Sequence, residues 1–208
     1  MISKFLYPDK PNTCETNFVS QIDYSKYIAQ KKYDGWRIQI YNFDHEIKLP
    51  SGILPKGMFI LTRMGNLLSK KVKINIDANK IQTPINSIFD GEFVGPRGKQ
   101  QQKINIFDCL AINDSWNRDI PYLDRYRMCS ELSFNSCFGL TENYESNFEA
   151  LFQELKKDWL VKKEIDEFEG IVIKHKKGKL ILSDNDCKKS PYMFKYKYRD
   201  VREERYLG

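Results

Sequence analysis

Short segments in which apolar and polar residues alternate are the feature that most restricts how this chain can fold. The clearest lies between Ile28 and Phe43, where Trp36, Ile38 and Ile40 alternate with Arg37, Gln39 and Tyr41 directly after the dipeptide Asp34-Gly35. Alternation with a period of two is typical of a β-strand with one buried face, and Asp-Gly is a strong signal for a tight turn. This part of the chain therefore predicts two strands joined by a tight turn.

Short apolar or alternating segments predict further strands over residues 58–63, 87–94, 103–112, 168–174, 179–182 and 193–199. The strands at 168–174 and 179–182 are expected to pair as a hairpin. Residues 50–57 hold two prolines and two glycines and predict a loop. Apolar residues at helical spacing predict two helices, over 121–134 and 147–163. The sum is an α+β protein with mainly antiparallel sheets.

The cysteines and histidines of the 208-residue chain argue against several kinds of site. The five cysteines are odd in number and include no C-x-x-C pair, which argues against a disulfide framework or a zinc site and favours a reducing, cytoplasmic compartment. The two histidines, His45 and His175, leave little room for a histidine-based triad or metal centre. No apolar run reaches the roughly 18–20 residues of a membrane helix, and residues 1–10 carry no signal-peptide pattern, so no membrane partner is expected.

Charge is distributed unevenly along the chain. The net charge is +6, and the segment from Lys174 to Gly208, with 11 Lys/Arg and 5 Asp/Glu, carries all of it. Aromatic residues are interleaved with these basic residues. A basic, aromatic surface is typical of a protein that binds a phosphate-bearing partner, and a solvated lysine-rich face is an equal alternative.

The most informative of four short motifs is Lys32-Tyr33-Asp34-Gly35-Trp36-Arg37. A lysine at a strand end can act as a nucleophile, but a free lysine has a pKa near 10.4 and must first lose its proton. The pattern K-x-D-G is weak on its own, because an ordinary Asp-Gly hairpin with a surface lysine also produces it.

The other three motifs lie on predicted strands. F-D-G-E-F at 89–93 places two carboxylates in an apolar strand. E-G-I-V-I-K at 169–174 places Glu169, Ile171 and Ile173 on one face by alternation. In K-Y-K at 195–197 both lysines point to the same side, as a phosphate clamp requires. The chain contains no full Walker A or G-x-G-x-x-G loop, and residues 95–99 predict a hairpin turn instead.

In this order the four motifs resemble those of the covalent nucleotidyltransferases, which comprise ATP-dependent DNA ligases, RNA ligases and mRNA-capping enzymes. K-Y-D-G-W-R, F-D-G-E-F-V-G and E-G-I-V-I-K are most similar to the DNA ligase branch, and the resemblance runs from about Gln30 to Lys197. It implies an ATP-grasp-like nucleotidyltransferase fold of two mainly antiparallel sheets flanked by helices. This adenylation domain would span residues 1–198, and residues 199–208 would be a short tail where an OB-fold domain normally begins.

The resemblance also implies a role for each matching residue. Lys32 would be the catalytic residue that forms lysyl-AMP. The implied nucleotide-binding residues are Gln30, Lys31, Arg37, Glu92, Phe107, Lys174, Lys195 and Lys197, with Phe107 stacked on adenine and the last three lysines at the α-phosphate. Arg37, Arg63 and Arg125 would contact nucleic acid. Glu169 and Glu92 would bind a metal ion, Mg²⁺ or alternatively Mn²⁺. Gln30 stands where many family members have glutamate, and it could still read the adenine amino group.

The implied activity is ATP-dependent sealing of nicked DNA, in repair or replication. Lys32 would take AMP from ATP, AMP would pass to a 5′-phosphate end, and a 3′-OH would then displace it. Three alternatives stay open: an RNA ligase without an OB domain, a capping enzyme, and a non-catalytic nucleic-acid-binding remnant. A separate OB-fold or clamp protein is an expected partner. The lysine-, asparagine- and isoleucine-rich composition suggests an AT-rich genome such as that of a phage or virus.

Overall fold

The computed structural model describes residues 1–14, 16–76, 81–95, 101–162 and 168–198. Within these residues the fold is mostly β, with two α-helices, α1 (Tyr122–Ser130) and α2 (Phe148–Lys162). The strands are β1 (Tyr7–Pro8), β2 (Lys10–Thr13), β3 (Tyr27–Tyr33), β4 (Trp36–Phe43), β5 (Ile47–Leu49), β6 (Gly52–Leu54), β7 (Gly57–Thr62), β8 (Ser87–Val94), β9 (Lys103–Ile112), β10 (Ser115–Trp116), β11 (Phe138–Leu140), β12 (Phe168–His175), β13 (Leu182–Ser183) and β14 (Lys189–Lys197). Short 3-10 helices span Thr16–Gln21 and Leu68–Lys70.

These strands form four sheets, whereas the sequence predicts two. The larger sheet has the order β10-β9-β8-β4-β7, with β11 added beside β9, and the smaller has the order β2-β14-β12-β3. The pairs β1–β13 and β5–β6 form separate two-stranded sheets. Pairing is mainly antiparallel, as predicted, and the exceptions among the described strands are β11 with β9 and β14 with β2.

The two strands around Asp34-Gly35 form as predicted, but they do not pair with each other. β3 pairs with β12 in the smaller sheet, while β4 pairs with β7 and β8 in the larger one. The turn therefore carries the chain from one sheet to the other. A Cβ atom at Gly35 would lie 2.4 Å from the Phe93 carbonyl oxygen, so this crossing needs glycine. The ordinary-hairpin interpretation of Lys32 and its turn is wrong for this reason.

Two other local predictions are corrected by tertiary pairing. The predicted hairpin of 168–174 with 179–182 is absent, because β12 pairs with β3 and β14, and β13 pairs with β1. Residues 50–57, predicted as a loop, contain β6, which pairs with β5. Both helices are present within their predicted spans, although α1 ends four residues earlier than predicted. The predicted turn at 95–99 and the tail at 199–208 fall largely outside the described residues.

Each large sheet has an apolar face packed on a helix. On the smaller sheet, Ile171, Ile173 and Tyr196 pack with Phe148 and Phe152 of α2 in one buried cluster. On the larger sheet, the buried side chains of Phe89, Ile104, Ile106, Cys129 and Leu132 share a second cluster, the last two lying on and just after α1. Burial of each large apolar side chain contributes about 1.5–3 kcal/mol, which fixes both sheets. No helix among the described residues is both long enough and apolar enough to cross a bilayer.

Candidate active site

Two adjoining cavities lie where strands of the two large sheets meet. The inner cavity is lined by residues that include Gln30, Phe107, Thr141, Val172 and Lys174. The outer cleft has a volume of about 630 Å³ and is lined mainly by polar and charged residues. Those residues include Arg63, Lys71, Glu169, Lys195 and Lys197. Lys32, Arg37 and Glu92 line both cavities.

Strand register brings the predicted lysines of the smaller sheet together. Gly170 of β12 lies opposite Lys32 on one side and Lys197 on the other. In the next row on this face, Val172 lies opposite Gln30 and Lys195. Because alternate residues of a strand face the same way, all four polar side chains line the cavities. Lys195 and Lys197 thus share a side, as the alternation predicts.

Glu169 lies on the same side as these lysines, which the simple alternation does not predict. Phe168 pairs with Tyr33 and Gly170 pairs with Lys32, so Glu169 is an extra residue in a β-bulge. Bulges re-aim side chains, and they are common beside active sites. Gly170 has φ +145°, and a Cβ atom there would lie 2.0 Å from the Tyr196 carbonyl oxygen, so the bulge requires glycine. The predicted common face for Glu169, Ile171 and Ile173 is therefore wrong.

Glu169 bridges the two lysines at the mouth of the cleft. Its Oε1 atom is paired with Lys32 Nζ, and its Oε2 atom accepts a hydrogen bond of 2.8 Å from Lys197 Nζ. Burial alone would raise the pKa of Glu169, but the two ammonium groups lower it below its ordinary value. The three side chains are 18–25% exposed, so water and ligands can reach them.

A second bulge positions Phe107 at the inner cavity. Asp90 pairs with Asp108 and Gly91 pairs with Ile106, which leaves Phe107 of β9 without an opposite residue. Lys174 Nζ lies 4.5 Å from the centre of the Phe107 ring and 4.4 Å from that of Tyr122. The bulge thus brings an aromatic ring and an ammonium group together in the cavity wall.

Two buried polar atoms of the inner cavity have no hydrogen-bond partner. They are Lys174 Nζ and Thr141 Oγ1, on residues that are 4% and 2% exposed. Burial lowers the pKa of Lys174 to about 8. Buried polar groups are nearly always hydrogen-bonded, because leaving one unpaired costs about 1–3 kcal/mol. A polar ligand in the cavity would supply the missing partners.

Arg37 lies between the cavities and the protein interior. Its Nε and Nη2 atoms donate to the Asp90 carboxylate, and its Nη1 atom donates to the carbonyl oxygen of Asp9. Glu92 lies opposite Arg37 on β8, and burial raises the pKa of Glu92 to about 7. A carboxyl group with this pKa changes charge readily near neutral pH.

Arg125 does not reach either cavity. It is 4% exposed, and its guanidinium group donates to both oxygens of Asp108 and to the carbonyl oxygens of Ile120 and Gly178. A side chain bound in this way is not available to nucleic acid, so the expected contact of Arg125 does not fit its position. Arg63, in contrast, is exposed and lines the outer cleft.

The remaining predicted residue, Lys31, lines the inner cavity, and its Nζ atom lies 5.4 Å from the Phe168 ring centre and 5.6 Å from that of Tyr144. Several cavity residues were not predicted from the sequence: Thr141 and Lys71 line the cavities, and Tyr122 and Asn143 bind the Gln30 side chain. They belong to no recognisable motif, and no pattern in the sequence could have identified them.

Comparison with known proteins rests on the fold. No family model matches the sequence, and no curated protein matches it. Solved structures do match. Mycobacterial DNA ligase D complexed with ATP and MES has a TM-score of 0.59 and 13% identity, with 90% of this chain covering 60% of that chain. The ligase domain of M. tuberculosis LigD gives 0.57 and 14%, with the same coverage.

A third match is a structure described as a Lig E DNA ligase that binds DNA with a minimal scaffold. It has a TM-score of 0.54 and 14% identity, with 90% of this chain covering 68% of that one. The chain therefore has the fold of DNA ligase catalytic domains, as the order of its motifs implies, and it spans about 60% of the length of the LigD structures.

Proposed function

We propose that this chain is the catalytic domain of an ATP-dependent polynucleotide ligase that forms lysyl-AMP at Lys32. One observation carries the proposal. Lys32 Nζ lies where an inner cavity with unpartnered polar atoms meets an outer cleft lined by cations. A nucleotide whose base occupies the inner cavity would place its phosphates beside this lysine.

The inner cavity suits a purine base. Phe107 offers an aromatic face, Val172 lies on a strand of the other sheet, and Gln30 offers an amide at the cavity wall. Lys174 Nζ and Thr141 Oγ1 need hydrogen-bond partners, which the α-phosphate and ribose of a bound nucleotide can provide. Aromatic stacking contributes about 1–3 kcal/mol per base, so Phe107 is expected to dominate base affinity.

The outer cleft suits phosphate groups and a nucleic-acid backbone. Lys195 and Lys197 lie on one face beside Lys32, and Arg63 and Lys71 line the same cleft from other parts of the chain. Cations fixed before the reaction stabilise the charge that develops on the α-phosphate at no cost of reorganisation. Arg63 and Lys71 are the residues that we assign to the acceptor strand.

A magnesium ion would be held by Glu169 and Glu92, which both line the outer cleft. Among the described residues no cluster of three or more metal-binding side chains occurs. Mg²⁺ keeps several waters and is usually bound by one or two carboxylates together with substrate phosphates, so two carboxylates would be enough protein ligands. The ion would neutralise charge on the phosphates. Glu169 would then have to leave Lys32, and Lys32 would become free to react.

The proposed reaction has three steps, and Lys32 carries the first. Once Glu169 has left it, the Lys32 ammonium group gives one proton to water; its Nζ atom then attacks the α-phosphorus of ATP, an N–P bond forms, and the P–O bond to the β-phosphate breaks. Pyrophosphate leaves with the bonding electrons, and Nζ loses a second proton to water. The 5′-phosphate of the acceptor then displaces Lys32 from AMP, and the neighbouring 3′-OH displaces AMP to form the phosphodiester bond.

Covalent labelling tests the proposal. The protein is incubated with ATP labelled at the α-phosphate and Mg²⁺, denatured and separated. We expect a labelled band that Lys32→Ala abolishes and that the matched variant Lys48→Ala keeps, because Lys48 is an exposed strand lysine outside both cavities. Labelling by GTP instead of ATP would favour a capping enzyme.

The acceptor is tested with the same protein. A pre-adenylated nick in DNA, and a pre-adenylated RNA end, are offered without ATP. Sealing of the DNA that Glu169→Ala abolishes is the expected result, and sealing of RNA alone would establish the RNA ligase alternative. If no band and no sealing occur, while nucleic acid binds with steep salt dependence, the chain is a binding module and the proposal is wrong.

A further inference from the structure

The Gln30 side chain, which lines the inner cavity, is held by two residues from distant parts of the chain. Its Nε2 atom donates to Tyr122 Oη at 2.9 Å and to Asn143 Oδ1 at 2.8 Å. Gln30 is 2% exposed, and these partners lie 92 and 113 residues further along the chain. The amide nitrogen therefore faces the protein.

This arrangement leaves only one group to present to a ligand. A glutamine amide has two N–H donors, and both are used by Tyr122 and Asn143. The oxygen of the Gln30 amide can only accept hydrogen bonds. Gln30 lines the cavity, so its cavity-facing polar group is an acceptor.

The same contacts reach the aromatic residue of the cavity. Tyr122 Oη, which accepts from Gln30, donates in turn to the carbonyl oxygen of Phe107 at 3.1 Å. One hydroxyl group thereby connects the polar and the aromatic walls of the cavity. Loss of this hydroxyl would release the Gln30 amide and loosen the Phe107 bulge together.

We propose that Tyr122 and Asn143 are positioning residues that set base specificity, by holding the Gln30 amide so that only its oxygen meets the base. The inference rests on the proposed function. Adenine carries an amino group at position 6, which donates to such an acceptor. Hypoxanthine and guanine carry an oxygen at position 6, which would face the Gln30 oxygen with no hydrogen between them.

The size of the preference follows from this mismatch. A site built to bind a donor rejects an analogue that lacks it strongly, because its own buried group is left unpaired. We expect at least about 100-fold preference for ATP over ITP in covalent labelling by the wild-type chain. When the Gln30 side-chain amide is free to flip, its N–H group can donate a hydrogen bond to the oxygen at position 6 of ITP. The preference for ATP over ITP should then shrink.

The test compares initial rates of labelling with ATP and ITP in matched variants. Tyr122→Phe removes one acceptor and Asn143→Leu removes the other, and each should reduce the ATP/ITP ratio about 10-fold, the equivalent of one hydrogen bond. Asn143→Asp keeps an acceptor for the Gln30 amide and should keep the ratio. Tyr126→Phe is the control, because Tyr126 lies on the same helix and donates at 2.8 Å to the carbonyl oxygen of Thr141, not to Gln30.

A purely structural role would lower both rates and leave their ratio unchanged, and that result would overturn the inference. An equal fall of the ratio in Tyr126→Phe would overturn it too. Circular dichroism of each variant verifies that it is folded, and Asn143→Leu provides a second route if Tyr122→Phe does not fold. If the wild-type chain forms no band with either nucleotide, the proposed function fails and this inference falls with it.

Discussion

Two groups of charged residues lie side by side in this molecule and differ in how they are bound. The mouth group, Lys32, Glu169 and Lys197, is 18–25% exposed, and its carboxylate is shared by two lysines. The interior group consists of the pairs Arg37–Asp90 and Arg125–Asp108, with side chains 1–16% exposed. The sequence predicts a ligand contact for members of both groups.

The difference shows which ion pairs a ligand can replace. At the mouth, water reaches the charges, so the pairs contribute little to stability and can be exchanged for phosphate or metal at low cost. In the interior, an ion that loses its partner has no water to replace it, so breaking one of these pairs strongly destabilises the fold. The interior group therefore holds the cavity walls, while the mouth group is available for chemistry.

Breaking an interior pair should have the largest effect. Arg125→Ala would leave the buried Asp108 carboxylate unpaired, and we expect the free energy of unfolding to fall by about 3–5 kcal/mol. Arg127→Ala, on the same helix, removes an exposed pair with Asp124 and should cost less than about 0.5 kcal/mol. Urea unfolding of both variants gives the comparison, and equal losses would show that the two groups do not differ as argued.

Changing the mouth group should reverse that pattern. Glu169→Gln is expected to alter the free energy of unfolding by less than about 1 kcal/mol, because its pairs are partly exposed. It should lower the rate of lysyl-AMP formation by at least about 100-fold, since the proposed metal ligand is lost. Glu145→Gln, at an exposed carboxylate 3.8 Å from Lys176, is the matched control for labelling. Unchanged labelling in Glu169→Gln would remove Glu169 from the mechanism.

Glu92 lies opposite Arg37 of the interior group and lines the outer cleft together with the mouth group. Its titration therefore tests whether it behaves as a buried or as an exposed carboxyl group. Burial raises the pKa of Glu92 from 4.5 to about 7, so the folded state favours the protonated carboxyl group. The stability from this group is complete below about pH 4.5 and is lost as the pH rises through about 7.

Urea unfolding at pH 5 and pH 8 measures the effect of Glu92. Over this range the stability of the wild-type chain should fall relative to Glu92→Gln, by an amount on the order of 1–3 kcal/mol. The difference in the free energy of unfolding between the wild type and Glu92→Gln separates the effect of Glu92 from that of the other carboxyl groups. One of these is Asp9, where burial raises the pKa to about 6. Parallel pH profiles for the two proteins would contradict the assignment.

Thr141 should give the smallest effect. Thr141→Val removes a buried hydroxyl group that has no partner, while the side chain keeps its shape, so we expect the free energy of unfolding to rise by about 1 kcal/mol. If the hydroxyl group binds the nucleotide, the KM for ATP in the labelling assay should rise at the same time. A loss of stability would indicate that the hydroxyl group is already satisfied in the folded protein.

Much of the local structure could be predicted from the sequence. The strands at 27–33, 36–43, 87–94 and 103–112 lie close to their predicted positions, because alternation and turn residues act over a few neighbours. The shared face of Lys195 and Lys197 follows from the same alternation. The order of motifs was enough to indicate the fold of a ligase catalytic domain.

The features that build the site required the tertiary structure. Glu169 and Phe107 reach the cavities through bulges, which depend on register with partner strands. Arg125, for which the sequence predicts a nucleic-acid contact, is buried and donates two hydrogen bonds to Asp108. Tyr122 and Asn143 are near Gln30 only in the folded chain.

Spacing along one segment was enough to predict the longer strands, the shared face of Lys195 and Lys197 and the set of chemical groups, since these depend on near neighbours in the chain. Pairing in the folded chain makes the turn at Asp34-Gly35 join two sheets and places Glu169 between Lys32 and Lys197. It also decided which charges are exposed to a ligand. These outcomes depend on pairing and burial between residues far apart in the chain, and no local pattern encodes them.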